Sequence, residues 1–386
     1  MRIAAVEEYD VNDIQVWSGT PYYIYQEFSR SGLKIDTWDK LAEKRIRPSL
    51  LGRCQIRLKK QLTTRLTGRA FMPIREAGML KAYARYLHNS VRNTPVDALF
   101  STSSLPFSYY ESSTPTFFWT DATFGAMVDY YEEFTGLSPM TLRAGHAAEK
   151  AALKNCRCAI YASQWAADSA INQYGADPAK VAVIPFGANV NTTLTEEDIA
   201  DRIRARPTSR CQLLAIGNDW VRKGFDDAIA VATRLNEAGL PTTLHLVGAT
   251  TDRKLPAYVV QEGRVDKSTP EGRERFEKLL TTSHFLLVPS RAEAFGLGPG
   301  EAGAFGVPAL VSSSGGLMTT VRNGINGYHF ALEDYIDATS AIVEELIRKP
   351  EAYRELATGA RQAYRERLNW RSATDSVRNL ILERSA

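Results

Sequence analysis

Short apolar runs alternate with longer amphipathic stretches along most of this chain. The runs have the length of β-strands, and the stretches between them are long enough for helices. Alternation of this kind is typical of β-α-β units, so we predict an α/β protein with parallel sheets. The predicted strands cover residues 3–6, 98–101, 116–120, 159–162, 181–185, 213–216, 243–247, 285–289 and 309–312. The predicted helices cover residues 22–31, 142–155, 164–174, 225–238, 272–281 and 300–305, and two more follow Glu333.

The alternation stops and restarts near the middle of the chain. Residues 187–207 are polar and charged, which is typical of a linker, and a new series of strands and helices begins at residue 213. The restart predicts two separate α/β domains with a cleft between them. We place the domains at residues 1–190 and 191–365. Ligands of open α/β sheets bind beyond the carboxyl ends of the strands, so the loops there are the candidate sites.

Composition and charge exclude several classes of protein. Of the 386 residues, 44% are hydrophobic and 24% are charged, as in ordinary globular proteins, and the net charge is only +3. No apolar run has the length of a membrane span, and the N-terminus turns acidic too early for a signal peptide. Cys156 and Cys158 have no second Cys or His pair nearby, so a zinc site is not expected. We expect a reduced, cytoplasmic protein that binds no nucleic acid.

Two glutamates bracket a glycine-rich turn, E-A-F-G-L-G-P-G-E, from Glu293 to Glu301. Glycines let the backbone approach a ligand closely, and amides at a helix N-terminus attract anions, which suits a diphosphate. Carboxylates accept strong hydrogen bonds from hydroxyl groups, which suits a sugar and a ribose. The alternative is a tight turn with two solvated carboxylates. The spacing does not match the G-x-G-x-x-G motif of dinucleotide-binding proteins.

Two cations precede a predicted helix in the second half of the chain. Arg222 and Lys223 lie in the segment G-N-D-W-V-R-K-G-F, between the strand 213–216 and the helix 225–238. Cations beside the amides of a helix N-terminus stabilise a phosphoryl leaving group. The alternative is a pair of exposed cations at a turn.

In combination, these motifs resemble those of the family 4 retaining glycosyltransferases. The resemblance implies the GT-B fold, with two Rossmann-like α/β/α domains facing each other across a cleft. The resemblance covers nearly all of residues 211–330, through G-x-x-x-x-x-K-G, L-H-L-V-G, P-S-x-x-E-x-F-G-L-x-x-x-E, G-V-P-A-L-V, S-G-G-L and N-G-x-N-G-Y. The first half matches more loosely, through S-G-T-P, Y-A-S-Q-W and I-P-F-G-A-N. The resemblance implies that residues 191–365 bind the nucleotide sugar and residues 1–190 serve the acceptor. It also implies that a helix at about 366–386 packs back on the first domain.

The resemblance implies roles for individual residues of the donor site. Lys223, supported by Arg222, faces the donor diphosphate. Glu293 lies near the hydroxyl groups of the donor sugar, and Glu301 binds the ribose. The amides implied near the sugar and the phosphate are those of Phe295, Gly296 and Leu297. One position departs from the family pattern, because many members carry Arg where this chain has Asn218. Either Arg222 supplies the missing positive charge or the diphosphate is held more weakly.

The acceptor side is predicted from loops of the first half. Many relatives place a histidine after the strand that ends here at residue 120, and this chain has Asp121 there. Asp121 either binds the sugar or takes the acceptor's proton, or it caps the next helix with Thr123 in support. His146 lies in a predicted helix, as a structural residue or as a peripheral contact of the acceptor. We expect Gly19 and Thr20 to approach the donor phosphates or the acceptor.

The segment 40–85 carries thirteen Lys or Arg and two Glu, an imbalance that an anionic partner or solvent must neutralise. Within it, apolar residues at spacings of three and four are interleaved with cations, which predicts a basic amphipathic helix. Such a helix can lie on an anionic membrane surface; the alternative is an ordinary helix whose apolar stripe packs inward. The apolar residues are Leu51, Cys54, Leu58, Leu62 and Leu66, and the cations are Arg53, Arg57, Lys59, Lys60 and Arg65.

We therefore predict a retaining glycosyltransferase with Asp121, Lys223 and Glu293 as catalytic residues. It would move a hexose-type sugar from a nucleotide diphosphate sugar to a saccharide or lipid-linked saccharide, in the synthesis of bacterial cell-surface polysaccharide or glycoconjugate. No cofactor and no metal are expected, because no D-x-D motif ends a predicted strand. Membrane binding by the basic segment would place the protein at the inner face of the plasma membrane. The alternatives are a nucleotide-sugar epimerase of the same fold and a non-catalytic subunit that binds a nucleotide sugar.

Overall fold

The computed structural model describes residues 1–41, 46, 48–190 and 192–385. The chain divides into two compact units, each with its own six-stranded sheet. The first unit comprises Met1–Ile184 together with the C-terminal residues from Ala373, and the second comprises Pro185–Ser372. All recorded strand pairs of both sheets are parallel.

The sheet of the first unit has the strand order β2-β1-β3-β4-β5-β6. Its central strands are apolar along almost their whole length because residues on both faces are buried, as is usual in parallel sheets. The edge strand β2 is partly exposed and carries charged residues. The strands are β1 (Arg2–Val6), β2 (Lys34–Trp38), β3 (Ala98–Ser101), β4 (Thr116–Thr120), β5 (Cys158–Tyr161) and β6 (Val181–Val183).

Several helices of the first unit begin at a side chain that caps them. Ser49, Ser138 and Ser163 each accept a hydrogen bond from the first turn of the helix that follows. The helix that begins at Gln164 continues as a π-helical turn, Ser169–Gln173. The helices are α1 (Thr20–Arg30), α2 (Leu50–Thr67), α3 (Ala77–Asn93), α4 (Phe124–Met127), α5 (Pro139–Asn155) and α6 (Gln164–Asp168).

The sheet of the second unit has the strand order β9-β8-β7-β10-β11-β12. Counted from β7, this is the order 3-2-1-4-5-6 of the Rossmann fold, in which the direction of winding reverses between the first and the fourth strand. The strands are β7 (Cys211–Gly217), β8 (Thr242–Gly248), β9 (Val259–Gly263), β10 (Phe285–Val288), β11 (Ala309–Ser312) and β12 (Gly327–Phe330).

Helices of the second unit pack their apolar faces into one continuous core that includes Phe225, Phe285 and Tyr353. The last helix of the chain begins in this unit and ends in the first one. The helices are α7 (Glu196–Ala205), α8 (Phe225–Glu237), α9 (Pro270–Thr282), α10 (Gly298–Gly303), α11 (Leu317–Thr320), α12 (Tyr335–Arg348), α13 (Pro350–Arg367) and α14 (Trp370–Ser385).

The predicted fold class is confirmed, with three local corrections. The predicted linker 187–207 contains helix α7, which begins at a capping box formed by Thr195 and Asp198. Three helices, rather than two, follow Glu333. Strands β2, β9 and β12 were not predicted.

Helix α2 turns its leucine stripe away from the body of the first unit. Leu51 and Leu58 are exposed, whereas Gly52 and Thr63 are buried. The alternative in which this stripe packs inward is therefore wrong. Residues 42–45 and 47 of the basic segment and the side chain of Leu66 lie outside the described residues. Within the described ranges, no helix has both the length and the apolar character needed to cross a bilayer.

Candidate active site

The loops that follow β7 and β10 meet at one edge of the second sheet. The two strands are parallel neighbours, with Leu213 opposite Phe285 and Ala215 opposite Leu287. Their carboxyl ends therefore lie side by side where the strand order reverses, and a crevice for ligands forms at such a point in open α/β sheets. The two predicted donor motifs, 60 or more residues apart in sequence, occupy these two loops.

The loop between β7 and α8 depends on two glycines. Gly224, with a φ of +67°, precedes α8, and a methyl group there would lie 2.2 Å from the carbonyl oxygen of Pro289 in the other loop. A methyl group on Gly217 would lie 2.3 Å from Cγ of Lys223, so the lysine stem lies directly over this glycine. The G-x-x-x-x-x-K-G motif thus brings the two loops into contact and holds the lysine against the strand end.

Lys223 and Glu293 form an ion pair between the two loops, from Nζ to Oε2. Both side chains are mostly buried, with exposures of 17% and 13%. Arg222 adds a second positive charge, because its Nη1 lies 3.9 Å from the same carboxylate oxygen and donates to the Ala292 carbonyl at 3.1 Å. The three residues predicted to contact the diphosphate and the sugar therefore form one charged cluster.

The turn after Glu293 presents backbone amides beside this cluster. The amides of Phe295, Gly296 and Leu297 donate no recorded hydrogen bond to the described part of the chain. Gly296 has a φ of +86°, and a methyl group there would lie 2.5 Å from Leu317. The turn therefore requires glycine at position 296. The three backbone amides are available to donate hydrogen bonds to a bound ligand.

Glu301 lies in the first turn of α10 and is only 5% exposed. Its partner is Lys267, whose Nζ lies 2.7 Å from Oε1 of Glu301 and also donates to the Asn189 carbonyl at 3.3 Å. Sequence reasoning missed Lys267, because it belongs to no motif and its contact with Glu301 depends on tertiary structure. The ion pair holds the Glu301 carboxylate in place.

Asn218, the departure from the family pattern, lies at the end of β7 beside β8. A methyl group on Gly248 would lie 2.9 Å from Oδ1 of Asn218. The position that carries Arg in many relatives is thus a neutral amide here, while Arg222 lies beside Glu293.

In the first unit, Gly19 and Thr20 form the entry to α1. Trp17 and Ser18 have left-handed backbone conformations, and Gly19 follows with a φ of +85°. A methyl group on Gly19 would lie 3.1 Å from the Ile14 carbonyl oxygen. Thr20 is buried at the first position of the helix. The loop between β1 and α1 is therefore tightly folded and lies after the first strand.

Asp121 directly follows β4 and is half-buried. The next helix, α4, is capped by Thr123, whose hydroxyl accepts a hydrogen bond from the Ala126 amide at 3.1 Å. The alternative role considered for Asp121 was to cap this helix, and the structure shows Thr123 in that role.

His146 lies in α5 among packed side chains. Its Nδ1 is 2.8 Å from the Tyr174 hydroxyl, and its ring contacts Phe124 edge to face. Burial, together with the positive charge of Arg75, lowers the pKa of His146. A neutral, hydrogen-bonded histidine in this position favours the structural interpretation.

Glu7 is a buried carboxyl group that sequence reasoning missed. It directly follows β1, next to the point where the order of the first sheet reverses between β1 and β3. It accepts hydrogen bonds from the Thr102 amide at 2.6 Å, from the Thr102 hydroxyl at 3.0 Å and from the Tyr25 hydroxyl. Burial raises the pKa of Glu7 to about 7, against the lowering effect of these hydrogen bonds. A polar residue immediately after the first strand was the one available signal.

The described residues contain no group of three or more His, Cys, Asp or Glu side chains that could hold a metal ion. Catalysis without a metal stays a prediction.

The family model for the glycosyl transferases group 1 matches residues 197–363. The chain is 31% identical over 179 residues to glycogen synthase of Mycobacterium tuberculosis, covering 45% of this chain and 43% of that protein. It is 29% identical over 223 residues to D-inositol 3-phosphate glycosyltransferase of Rhodococcus erythropolis, covering 53% and 48%. The matched region thus spans about half the length of these curated relatives.

Solved structures resemble the whole chain. Sucrose-phosphate synthase from Thermosynechococcus elongatus superposes with a TM-score of 0.67 at 16% identity, covering 99% of this chain and 98% of that chain. The Anabaena protein HepE in complex with UDP superposes with a TM-score of 0.62 at 15% identity, covering 99% and 100%. Likeness at this level of identity concerns the fold. Residues 197–363 are thus similar to the glycosyl transferases group 1 family, and the two parallel sheets have the GT-B fold.

Proposed function

We propose that this protein is a retaining glycosyltransferase that uses a nucleotide diphosphate sugar as donor. One observation carries the proposal: Lys223, Arg222 and Glu293 converge at the carboxyl ends of two adjacent parallel strands, at the point of strand-order reversal. A diphosphate requires cations, and a sugar requires hydrogen-bond acceptors for its hydroxyl groups. This cluster offers both within a few ångströms.

Bound ligands in a structural neighbour support the choice of donor. Anabaena HepE was solved with UDP, with UDP and glucose, and with UDP-glucose. UDP-glucose is therefore the first donor to test on this chain. The ion pair from Lys267 to Glu301 supports a role for Glu301 in holding the ribose, because it holds the carboxylate in one orientation beside the glycine-rich turn.

The proposed reaction breaks the bond between the anomeric carbon and the diphosphate oxygen. Negative charge then grows on the leaving diphosphate, and Lys223, Arg222 and the amides of the turn after Glu293 stabilise it. Interactions that strengthen as this charge develops are often the largest contribution to catalysis. The hydroxyl oxygen of the acceptor bonds to the anomeric carbon from the face that the diphosphate leaves, so that the anomeric configuration is retained.

The proton of the acceptor hydroxyl must be removed in this step. We propose that Asp121 accepts this proton or forms a hydrogen bond with the transferred sugar. Asp121 directly follows β4, and Thr123 already caps α4, which supports a role for Asp121 other than capping. We propose a saccharide or a lipid-linked saccharide as acceptor, in the synthesis of bacterial cell-surface polysaccharide or glycoconjugate. We also propose that the protein works in the cytoplasm, as a peripheral protein at the inner face of the plasma membrane.

Two substitutions test the donor site. Lys223→Met and Glu293→Gln are each expected to lower the rate of sugar transfer or donor hydrolysis by about 10²–10³-fold, which is typical for the loss of one charge-stabilising group. Lys349 and Glu345 form a surface ion pair at 2.9 Å on α12 and the segment after it. Lys349→Met and Glu345→Gln are therefore matched controls, and we expect both to keep the wild-type rate. Near-normal turnover of both site variants would refute the mechanism.

The products distinguish the proposed function from its alternatives. Mass spectrometry detects transfer or hydrolysis of the donor, NMR of the product gives its anomeric configuration, and an epimerase would instead return a donor with an inverted ring carbon. Saturable donor binding without any turnover, across a range of saccharide acceptors, would indicate a non-catalytic subunit.

A further inference from the structure

Helix α2 packs against α3 through a face that includes Gly52 and Ile56, and a methyl group on Gly78 would lie 3.6 Å from Cδ1 of Ile56. Gly52 lies close to α3, since a methyl group on it would be 3.9 Å from Cα of Gly78. Thr63 is buried on the same side of the helix, and Lys59 reaches across to Glu76, with Nζ 2.6 Å from Oε2. These residues anchor α2 to the first unit, so the orientation of the helix about its axis is well defined.

A different side of α2 exposes a stripe of leucines. At 100° per residue, Leu51, Leu58 and Leu62 fall within a narrow arc that lies away from Gly52 and Thr63. Their exposures are 70%, 57% and 46%, and Leu50 beside them is also exposed. A single exposed leucine is ordinary, whereas a row of them along one helix indicates an interaction surface.

Cations occupy the rest of the exposed side. At the same 100° per residue, Arg65 lies within the stripe and Arg57 about 120° from Leu51, while Arg53 and Lys60 lie about 160–180° from Leu51. The segment 50–67 contains no Asp or Glu. We call the exposed leucines together with Arg57 and Arg65 the basic leucine face of α2.

The charge of this face determines what can cover it. A second copy of the same face would bring cations against cations, which is unfavourable. An anionic lipid surface fits both components, because leucines enter the boundary of the acyl chains while long Arg and Lys side chains reach the phosphates. Eighteen helical residues extend for about 27 Å, so the whole face can lie flat in that interface.

We infer that α2 docks the protein on an anionic bilayer through its basic leucine face, with the helix axis parallel to the membrane. This deepens the proposed function, on which it rests for the lipid-linked acceptor. The binding itself requires neither donor nor acceptor, so its test is independent of sugar transfer.

The test is co-sedimentation of the full chain with vesicles at low salt. We expect binding to vesicles of phosphatidylcholine mixed with phosphatidylglycerol, little binding to phosphatidylcholine alone, and release by salt. Each interfacial cation contributes about 1 kcal/mol, so Arg57→Gln with Arg65→Gln should weaken binding roughly 30-fold. Leu51→Gln with Leu58→Gln should weaken it at least about tenfold through lost burial of the leucines. Leu382→Gln, at a residue of α14 that is 39% exposed, is the control and should bind like the wild type.

Several outcomes would overturn the inference. They are the absence of sedimentation with anionic vesicles, equal binding to neutral vesicles, or wild-type binding by both double variants. An anionic protein as the true partner would give the first of these outcomes. The thermal midpoint and the affinity for UDP-glucose are measured on every variant. If these two quantities are unchanged while vesicle binding is lost, the loss is due to the basic leucine face and not to unfolding. Vesicle binding by a chain that transfers no sugar would refute the proposed function and leave this inference standing.

Discussion

The contact between the two donor-site loops predicts that Gly224 cannot be replaced by alanine without disturbing the site. Gly224 has a φ of +67°, and Gly263 has a φ of +66° at the end of β9. The two glycines differ in surroundings: a methyl group on Gly224 would lie 2.2 Å from the Pro289 oxygen and 2.6 Å from Arg291, whereas one on Gly263 would have no described atom within 4 Å. Gly263→Ala is therefore a matched control for backbone strain alone.

The expected magnitudes follow from this difference. A left-handed alanine costs about 1 kcal/mol at either position. Gly224→Ala adds the displacement of the Pro289 carbonyl, which costs about 1–3 kcal/mol more, as overpacking does in protein cores. For a unit of this size, about 1 kcal/mol corresponds to ~2–4 °C, so the thermal midpoint should fall by roughly that amount for Gly263→Ala and by two to four times as much for Gly224→Ala.

Calorimetry of the full chain measures the midpoints, and titration with UDP-glucose measures the effect on the site. We expect Gly224→Ala to weaken donor binding at least about tenfold, because the shifted Pro289 backbone displaces Glu293 from Lys223. Gly263→Ala should leave donor affinity unchanged. Equal losses of stability in the two variants, or unchanged donor affinity in Gly224→Ala, would refute the reasoning that close contact of these loops builds the site.

Three further predictions concern single side chains. Burial raises the pKa of Glu7 from 4.5 to about 7, so between these pH values the folded state holds a proton that the unfolded state has lost. The free energy of unfolding should therefore fall as pH rises from 4.5 to 7, by up to about 1.4 kcal/mol per pH unit. Thermal melts of Glu7→Gln should show a flatter dependence of the midpoint on pH. Lys267→Met should raise the donor KM about tenfold with little change in kcat, since it removes support from ribose binding by Glu301, and a fall in kcat at constant KM would contradict this. Asp121→Asn should lower kcat by about 10²–10⁴-fold, whereas His146→Gln should stay near the wild-type rate in the same assay.

The sequence predicts the fold well where burial leaves a clear pattern. Strands β3, β4 and β11 are predicted with the bounds that the structure has, because buried parallel strands are short and continuously apolar. Strand β2 was missed because it is a partly exposed edge strand with the sequence K-I-D-T-W. Helix α7 was mistaken for linker because its first turn is acidic and few of its residues are apolar, although its capping box is visible as Thr195 followed by Asp198.

The candidate site divides in the same way. The proximity of Lys223 and Glu293 was predictable, because loops that follow neighbouring parallel strands lie side by side. Glu7 and Lys267 were not, since their partners lie 95 and 34 residues away and only the pairing of strands and loops brings them into contact. The direction of the leucine stripe on α2 was also left open by its spacing, because the same pattern suits inward packing and a lipid surface.

The path of the chain through α14 has a consequence for synthesis on the ribosome. The first unit is interrupted by Pro185–Ser372 and includes the chain from Ala373, where Arg384 donates to the Ala179 carbonyl at 2.6 Å. Its sheet emerges early, but its last helical residues follow only after the second unit has been translated, which takes roughly 10–40 s at typical elongation rates. The second unit is continuous and can fold as it emerges. The first-made half of the protein is thus the last to complete its native contacts.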